Sequence, residues 1–369
     1  MAKKITVGIL FGGKSAEHEV SLQSAQNVFE AINREKYNPV LIGIDKTGRW
    51  FLSDESKFLL DSGDPRKIRL DQSGEPAALV PESGGALSSL LGRGSLRTLD
   101  VIFPILHGPF GEDGTVQGLL KLADIPFVGA GVTGSAVGMD KDVMKRLLRD
   151  GGVPVGAFVS LMSHEAVPDF AGLAAKLGLP FFVKPANMGS SVGVGKVRDE
   201  DEYREAVRNA FVYDRKIILE EFIKGREIEC AVLGNETPAA SVPGEVVSSH
   251  EFYSYEAKYL DENGAVLRIP AALSPETTRE IQNLAVKTFK VLGCEGLGRV
   301  DFFLREAGPG TDGPSILVNE INTMPGFTKI SMYPKLWEAG GLSYTGLIDS
   351  LIQLALERYA KEKKLKTSL

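Results

Sequence analysis

The sequence has little cysteine, little histidine and no long apolar run. Cys230 and Cys294 are its two cysteines and do not form a CxxC pair, so neither a disulfide framework nor a zinc knuckle is expected. The four histidines show no HxxxH or HExxH spacing, which disfavours a zinc site. No stretch approaches the roughly 18 uninterrupted apolar residues of a membrane span, so no membrane partner is expected.

Basic residues are also fewer than acidic residues. The 42 Lys and Arg residues against 48 Asp and Glu residues give a formal charge of −6, which argues against whole-surface attraction to nucleic acid. Any phosphate group must therefore be bound by a local arrangement of residues. The opening segment MAKKITVGIL has no apolar region of about 7 to 15 residues followed by a cleavage site, and we expect a cytoplasmic protein.

Length and glycine content indicate a multidomain globular protein. A chain of 369 residues predicts two or three domains, and its 41 glycines cluster where apolar runs end. The first third alternates strand-like and helix-like runs, which predicts an α/β fold with a parallel sheet and ligands at the carboxyl edge of its strands. The expected elements are strands over 3–11, 39–44 and 99–106 and helices over 20–33 and 115–122. The stretch 54–97, rich in Ser, Gly and Asp, is interpreted as a peripheral insertion.

Beyond residue 135 the pattern changes. The segment MDKDVMKRLLRDGG predicts a helix with a glycine stop, and strands predominate after Lys224. The other expected helices are 164–177, 200–213, 275–292 and 344–364, and the expected strands are 155–161, 180–184, 216–221, 226–234, 296–304 and 315–322.

One motif match is rejected. Residues 8–15, GILFGGKS, fit the P-loop pattern GxxxxGK[ST]. A phosphate-binding loop needs its first glycine after the strand has ended, whereas Ile9, Leu10 and Phe11 continue the apolar run. The Gly12–Gly13 pair before a helix remains a candidate anion or carboxylate nest.

The strongest local signal lies in GRVDFF and VNEIN. Residues two apart on a strand share a face, so Arg299 and Asp301 point one way, as do Glu320 and Asn322. Such a patch is either a solvated sheet face with ordinary ion pairs or a cation site. Asp, Glu and Asn supply the oxygen ligands that Mg²⁺ takes alongside phosphates.

Two lysines and a group of glutamates give a second signal. Lys184 ends an apolar strand and precedes the Gly/Ser loop PANMGSSVGVG, whose backbone amides can approach phosphate oxygens closely, and Lys141 is its companion. A solvated surface lysine is the alternative. In LEEFIKGREIE, a glutamate at a segment junction either accepts a ribose hydroxyl or is a free carboxylate; the candidates are Glu220, Glu221 and Glu227.

Several motifs taken together resemble one family. They are GGKSAEHEVS, ILHGPFGEDG, VGAGVTGSAVGMDK, VKPANMGSSVGVGKV, EAKY, GRVDFF and VNEINTMPG. Their order and spacing resemble the D-alanine–D-alanine ligases of the ATP-grasp superfamily over nearly the whole chain. The resemblance implies an N-terminal parallel-sheet domain before a two-part ATP-grasp domain, divided as 1–135, 136–224 and 225–369. It also implies a homodimer.

The resemblance further implies site residues. Lys141, Lys184 and Lys258 would hold ATP phosphates, and the adenosine pocket would be lined by Glu220, Glu221, Ile223 and Glu227. Two Mg²⁺ or Mn²⁺ ions would be bound by Asp301, Glu320 and Asn322. Two D-alanine molecules would bind at Glu17, His107, Arg299, Gly326 and Ser331, with Ser190 and Tyr259 joining Glu17 in a triad that fixes a lid.

Two departures from the family pattern affect what is expected. Glu221 stands where many relatives have lysine, so we expect its main chain to contact the nucleotide instead of its side chain. Tyr259 is typical of dipeptide-forming members and favours an amine acceptor. The expected activity is ATP-dependent formation of D-alanyl-D-alanine for peptidoglycan, through a D-alanyl phosphate. The alternatives are a D-alanyl-D-lactate or D-alanyl-D-serine ligase, another ATP-grasp carboxylate–amine ligase, and a non-catalytic nucleotide-binding protein.

Overall fold

The computed structural model describes residues 3–55, 57–61, 64, 67–92, 94–248, 265–305 and 315–366. Over these residues the fold is mixed α/β, with three main sheets and helices packed against them, which confirms the expected class. The helices are α1 (His18–Ala31), α2 (Thr115–Leu122), α3 (Val132–Met139), α4 (Lys141–Asp150), α5 (Phe170–Leu177), α6 (Glu200–Tyr213), α7 (Pro275–Val291), α8 (Met332–Ala339) and α9 (Tyr344–Glu362).

The first sheet is built on a parallel centre. The early strands are β1 (Ile5–Gly12), β2 (Tyr37–Ile44), β3 (Trp50–Ser53), β4 (Leu59–Leu60), β5 (Arg69–Leu70), β6 (Glu75–Leu79), β7 (Ala86–Ser89), β8 (Ser95–Thr98) and β9 (Val101–Ile105). Strand β1 lies between β2 and β9 and runs parallel to both, as predicted. Its buried apolar run extends to Phe11, and Gly12 and Gly13 follow with φ of +92° and +98°, so the P-loop geometry is excluded.

The interpretation of 54–97 as a peripheral insertion is incomplete. Strands β6, β7 and β8 continue the first sheet beyond β3, giving the order β8-β7-β6-β3-β2-β1-β9, and β4 pairs with β5 in a separate hairpin. The added strands and β3 are antiparallel to their neighbours. These strands are short and only partly apolar, so their sequence carries little of the alternation by which a strand is predicted.

The other two sheets are antiparallel. The second has the order β10-β13-β11-β12, and the third has the order β17-β16-β14-β18-β19, with β15 beside β14. Their strands are β10 (Phe158–Met162), β11 (Phe181–Pro185), β12 (Gly195–Val197), β13 (Lys216–Glu221), β14 (Arg226–Gly234), β15 (Ala239–Ala240), β16 (Gly244–Ser248), β17 (Ala265–Arg268), β18 (Gly296–Arg305) and β19 (Ser315–Asn322).

Two expected elements begin later than predicted. Residues 155–157 precede β10, and Val155 forms only an isolated bridge to Val318. Helix α5 begins at Phe170 because Asp169 caps it by accepting the Gly172 N–H, and Pro168 precedes the cap. The segment MDKDVMKRLLRDGG divides at Asp140, whose side chain accepts two main-chain N–H groups and starts α4.

The two ends of the chain share one core. Phe103 of β9 packs edge-on against Phe327 with ring centroids 5.7 Å apart, and Tyr333 and Leu351 belong to the same buried cluster. The turn before α8 is therefore held against the first sheet. Among the described residues, no helix combines the length and apolar character needed to cross a membrane.

Candidate active site

A cavity of about 480 Å³ opens between the second and third sheets. Lysines of α4 and β11 line it on one side, and carboxylates of β18 and β19 line it on the other. The expected nucleotide and metal residues on its wall are Lys141, Lys184, Glu220, Glu221, Ile223, Glu227, Asp301 and Glu320. The structure thus brings together groups that lie up to 179 residues apart in the sequence.

Lysine charge at the cavity is balanced by buried glutamate. Lys184 Nζ lies 2.6 Å from one oxygen of Glu220, and Lys145 Nζ lies 2.8 Å from the other. Lys141 Nζ donates to the Met188 carbonyl at 2.8 Å and lies 3.6 Å from Glu320.

The pKa of Glu220 reflects both lysines. Burial by itself would raise the pKa of Glu220, but the charges of Lys145 and Lys184 outweigh it and hold that pKa well below its usual range. Glu220 is therefore ionised at neutral pH. Sequence reasoning missed Lys145, whose side chain is only 3% exposed. The signal was available, because Lys145 lies four residues after Lys141 and so on the same face of the helix.

The side chains that were expected to share a face lie together on β18 and β19. Asp301 of β18 lies opposite Glu320 of β19, and Arg299 lies opposite Asn322. The Arg299 guanidinium binds Asp301 through two hydrogen bonds of 2.7 and 2.8 Å, and Asn322 Nδ2 donates to Asp301 at 3.0 Å. Arg299 also lies 2.9 Å from Glu229, which sequence reasoning missed although it shares a strand face with Glu227.

The oxygen atoms of these β18 and β19 side chains are of the kind that bind a hard cation. Across the described residues, no three Cys, His, Asp or Glu side chains are already gathered as a metal site. Asp301 and Glu320 are, however, register partners, and Asn322 contacts Asp301. Two carboxylates and an amide are oxygen donors of the kind that Mg²⁺ and Mn²⁺ prefer. The residues therefore fit the expected ions.

At the end of the cavity beside β13, Glu221 is engaged by protein groups. Its carboxylate accepts the Ala157 N–H at 2.8 Å and lies 3.2 Å from Arg305. The side chain is thus already paired with protein groups, and a main-chain contact with the nucleotide stays a prediction. Ile223 packs close to Gly156, where a Cβ would approach Ile223 Cδ1 to 2.9 Å.

A second group of polar residues adjoins this cavity. Glu17, at the start of α1, is nearly buried and accepts a hydrogen bond from Ser190, which itself lines the cavity. Two glycines allow the backbone to approach this carboxylate, since a Cβ at Gly108 or Gly189 would lie within 2.7 or 2.9 Å of Glu17 Oε2. Gly108 also has φ +72°, which favours glycine.

The hydrogen bonds of His107 fix its tautomer. A carbonyl oxygen only accepts, so Nδ1–H donates to the Met324 carbonyl at 2.9 Å. Burial lowers the pKa of His107, so the ring is neutral and Nε2 accepts the Ser24 hydroxyl at 3.1 Å. Ser24 Oγ in turn accepts the Phe327 N–H at 3.2 Å. Both ring nitrogens are thus bound to protein groups.

Gly326 and Ser331 lie together in the turn before α8. A Cβ at Gly326 would lie 2.7 Å from Ser331 Oγ, and that hydroxyl accepts the Thr328 N–H at 2.9 Å. The structure therefore brings these two residues together, while their contacts with D-alanine stay predictions. Lys258 and Tyr259 lie outside the described residues.

The chain is similar to known proteins over its full length. The family models described as D-ala D-ala ligase N-terminus and D-ala D-ala ligase C-terminus match residues 6–130 and 147–353. A D-alanine–D-alanine ligase from Oceanobacillus iheyensis is 55% identical, covering 100% of this chain and 99% of that protein. D-alanine–D-alanine ligase A from Escherichia coli K12 is 53% identical, with 100% of both chains covered.

Solved structures are also similar to this chain. The D-alanine–D-alanine ligase from Coxiella burnetii superposes with a TM-score of 0.82 at 39% identity, covering 98% of each chain. The VanG D-Ala:D-Ser ligase from Enterococcus faecalis superposes with a TM-score of 0.83 at 35% identity, covering 96% of this chain and 100% of that one. Sequence and fold agree over the full length, and the chain belongs to the D-alanine–D-alanine ligase family.

Proposed function

We propose that this protein joins two molecules of D-alanine into D-alanyl-D-alanine with ATP, supplying a peptidoglycan precursor in the cytoplasm. One observation carries the proposal: a cavity with lysines on one wall and carboxylates on the other adjoins the Glu17–Ser190 pair. Such an arrangement suits transfer of a phosphoryl group to a small amino acid. The domain division at residues 135 and 224 and a homodimer are part of the same proposal.

The role of ATP follows from the poor reactivity of a carboxylate and from the negative charge of the phosphates. A carboxylate resists attack by an amine, so it must first become a better acyl donor by phosphorylation. Lys141, Lys184 and Lys258 would neutralise the phosphates, and the adenosine contacts would come from Glu220, Glu221, Ile223 and Glu227. Asp301, Glu320 and Asn322 would hold two Mg²⁺ or Mn²⁺ ions, which when bound would neutralise further phosphate charge.

The two D-alanine molecules would bind among the polar residues around Glu17 and Ser190. Glu17 would bind the ammonium of the first D-alanine, and Arg299 with the Gly326 N–H would bind its carboxylate. After phosphorylation, Ser331 would bind the carboxylate of the second D-alanine, whose amine would attack the acyl carbon of the D-alanyl phosphate. Arg299 would stabilise the oxyanion before phosphate leaves. Ser190 and Tyr259 would keep Glu17 in place and exclude water.

An acceptor other than D-alanine is the second candidate. It is supported by the likeness to the VanG D-Ala:D-Ser ligase, whereas Tyr259 supports an amine acceptor in general. Phosphate release should be measured with ATP and D-alanine alone, and then with D-serine or D-lactate added, with products identified by mass spectrometry.

We expect phosphate release with D-alanine alone, matched mole for mole by D-alanyl-D-alanine, and little mixed product. Phosphate release only when D-serine or D-lactate is present would assign the other acceptor. No phosphate release under any of these conditions would contradict a ligase and favour a protein that only binds nucleotide.

A further inference from the structure

One serine of α1 is hydrogen-bonded to both ends of the turn 324–327. Ser24 is fully buried, and its Oγ accepts the Phe327 N–H at 3.2 Å. Its hydroxyl donates to His107 Nε2 at 3.1 Å, and Nδ1 of the same ring donates to the Met324 carbonyl at 2.9 Å. Ser24 thus binds one end of the turn directly and the other end through His107.

The group between these two contacts is the peptide unit that carries the Gly326 N–H. A peptide unit is planar, so the bond at the Met324 carbonyl orients the Met324–Pro325 unit, and the bond at the Phe327 N–H orients the Gly326–Phe327 unit. The Pro325–Gly326 unit lies between them, and the proline ring fixes φ of Pro325. The direction of the Gly326 N–H is consequently limited by the two contacts that meet at Ser24.

A second residue of α1 holds the same turn. Asn27, one helical turn after Ser24, donates from Nδ2 to the Phe327 carbonyl at 3.2 Å. The Tyr344 hydroxyl donates to the same carbonyl at 2.6 Å. Helix α1 therefore contacts both polar main-chain groups of Phe327. This helix begins directly after Glu17, the residue expected to bind the ammonium group of the first D-alanine.

We propose that Ser24 is a positioning residue of the D-alanine site, acting through Phe327 and His107 to fix the Gly326 N–H relative to Glu17. The identity of the ligand in this inference rests on the proposed function. One helix follows Glu17 and binds the turn through Ser24. It therefore sets the separation between the group that would bind the ammonium of the first D-alanine and a group that would bind its carboxylate.

The expected effect falls on D-alanine and not on ATP. Alanine at 24 removes both hydrogen bonds, and a displacement of about 1 Å in a substrate-binding group costs on the order of 100-fold in rate. Cysteine keeps the shape of serine, but a thiol is a weak donor and a weak acceptor. We therefore expect the KM for D-alanine to rise about 10- to 100-fold in S24A and S24C, with the KM for ATP within about twofold of wild type.

Ser21 supplies a matched control on the same helix. It is also fully buried, and its Oγ accepts the Gly12 N–H at 2.7 Å while its hydroxyl donates to the Ile105 carbonyl. S21A therefore removes one accepted and one donated hydrogen bond, as S24A does. The partners of Ser21 belong to β1 and β9, so S21A should leave the turn 324–327 unchanged.

The test combines steady-state kinetics with amide hydrogen exchange of the full chain, followed by mass spectrometry of a peptide covering 323–331. We expect exchange in this peptide to rise about tenfold in S24A and S24C and to stay at the wild-type rate in S21A. Unchanged exchange in either Ser24 variant, or an equal rise in S21A, would overturn the positioning role. If S24A does not fold, S24C decides the question.

The exchange result does not depend on turnover. A wild-type protein that makes no dipeptide, with exchange still raised in both Ser24 variants, would refute the proposed function and leave the hold of Ser24 on the turn standing. Dipeptide synthesis with an unchanged KM for D-alanine in these variants would refute the positioning role alone.

Discussion

At the scale of single residues, the arrangement that governs the cavity is one glutamate shared by two lysines. Glu220 lies within 2.8 Å of both Lys145 and Lys184, which both line the cavity, and the Lys184 side chain is 18% exposed whereas that of Lys145 is 3% exposed. If a phosphate group binds Lys184, as proposed, Lys145 would still neutralise Glu220. Lys184 would then leave the carboxylate without leaving a buried negative charge unpaired.

Replacing Lys145 with methionine tests whether Lys145 neutralises Glu220. The methionine keeps most of the apolar volume but leaves Glu220 with a single cation, so we expect the free energy of unfolding to fall by about 1–3 kcal/mol at pH 7. The KM for ATP should rise, because Glu220 then competes with phosphate for Lys184. The measurements are denaturant unfolding and steady-state kinetics.

The stability of K145M relative to wild type should also depend on pH. The pKa of Glu220 is lowered in the folded protein, so its contribution is present above the unfolded value near 4.5 and is lost as pH falls. The stability difference between wild type and K145M should therefore be constant above about pH 5 and shrink below it. In the double variant K145M/E220Q the loss should be smaller than in K145M. A difference that grows towards acid pH would contradict the pairing.

At the scale of elements, the start of α4 sets the position of Lys141. Asp140 caps this helix by accepting the N–H groups of Asp142 and Val143, and it lies 2.5 Å from Lys216. Lys141 is the first helical residue, so its direction depends on that cap. Capping residues of this kind contribute about 0.5–2 kcal/mol.

D140A should lower the free energy of unfolding by about 1–2 kcal/mol and raise the KM for ATP, because Lys141 loses its fixed starting point. Asp169, which caps α5 through the Gly172 N–H, is the matched control. D169A should lose about 1 kcal/mol without a change in the KM for ATP. Equal changes in KM for the two variants would show that α4 has no special link to the nucleotide.

Prediction from sequence succeeded where the pattern is local. The two-residue alternation of GRVDFF and VNEIN placed Arg299, Asp301, Glu320 and Asn322 on one face, and β18 and β19 bear this out. The short strands of 54–97 lack such alternation and were not recognised. The hydrogen bond of His107 to the Met324 carbonyl could not be predicted, because it depends on how distant elements pack and no local pattern encodes it.

At the scale of the whole molecule, net charge and site charge have opposite signs. The chain carries a formal charge of −6, whereas Lys141, Lys145 and Lys184 gather at one cavity. Part of the acid excess lies at that same cavity, in Glu220, Asp301 and Glu320. The shared core around Phe103 and Phe327 holds the Gly326 turn against the first sheet.

The central claim is that these parts act together to activate a carboxylate by phosphorylation. D-alanine labelled with ¹⁸O in its carboxylate tests it directly, since the oxygen that receives the phosphoryl group leaves with phosphate when the amine attacks. Mass spectrometry should find one ¹⁸O in phosphate for each D-alanyl-D-alanine formed. Dipeptide synthesis with no label in phosphate would contradict the account.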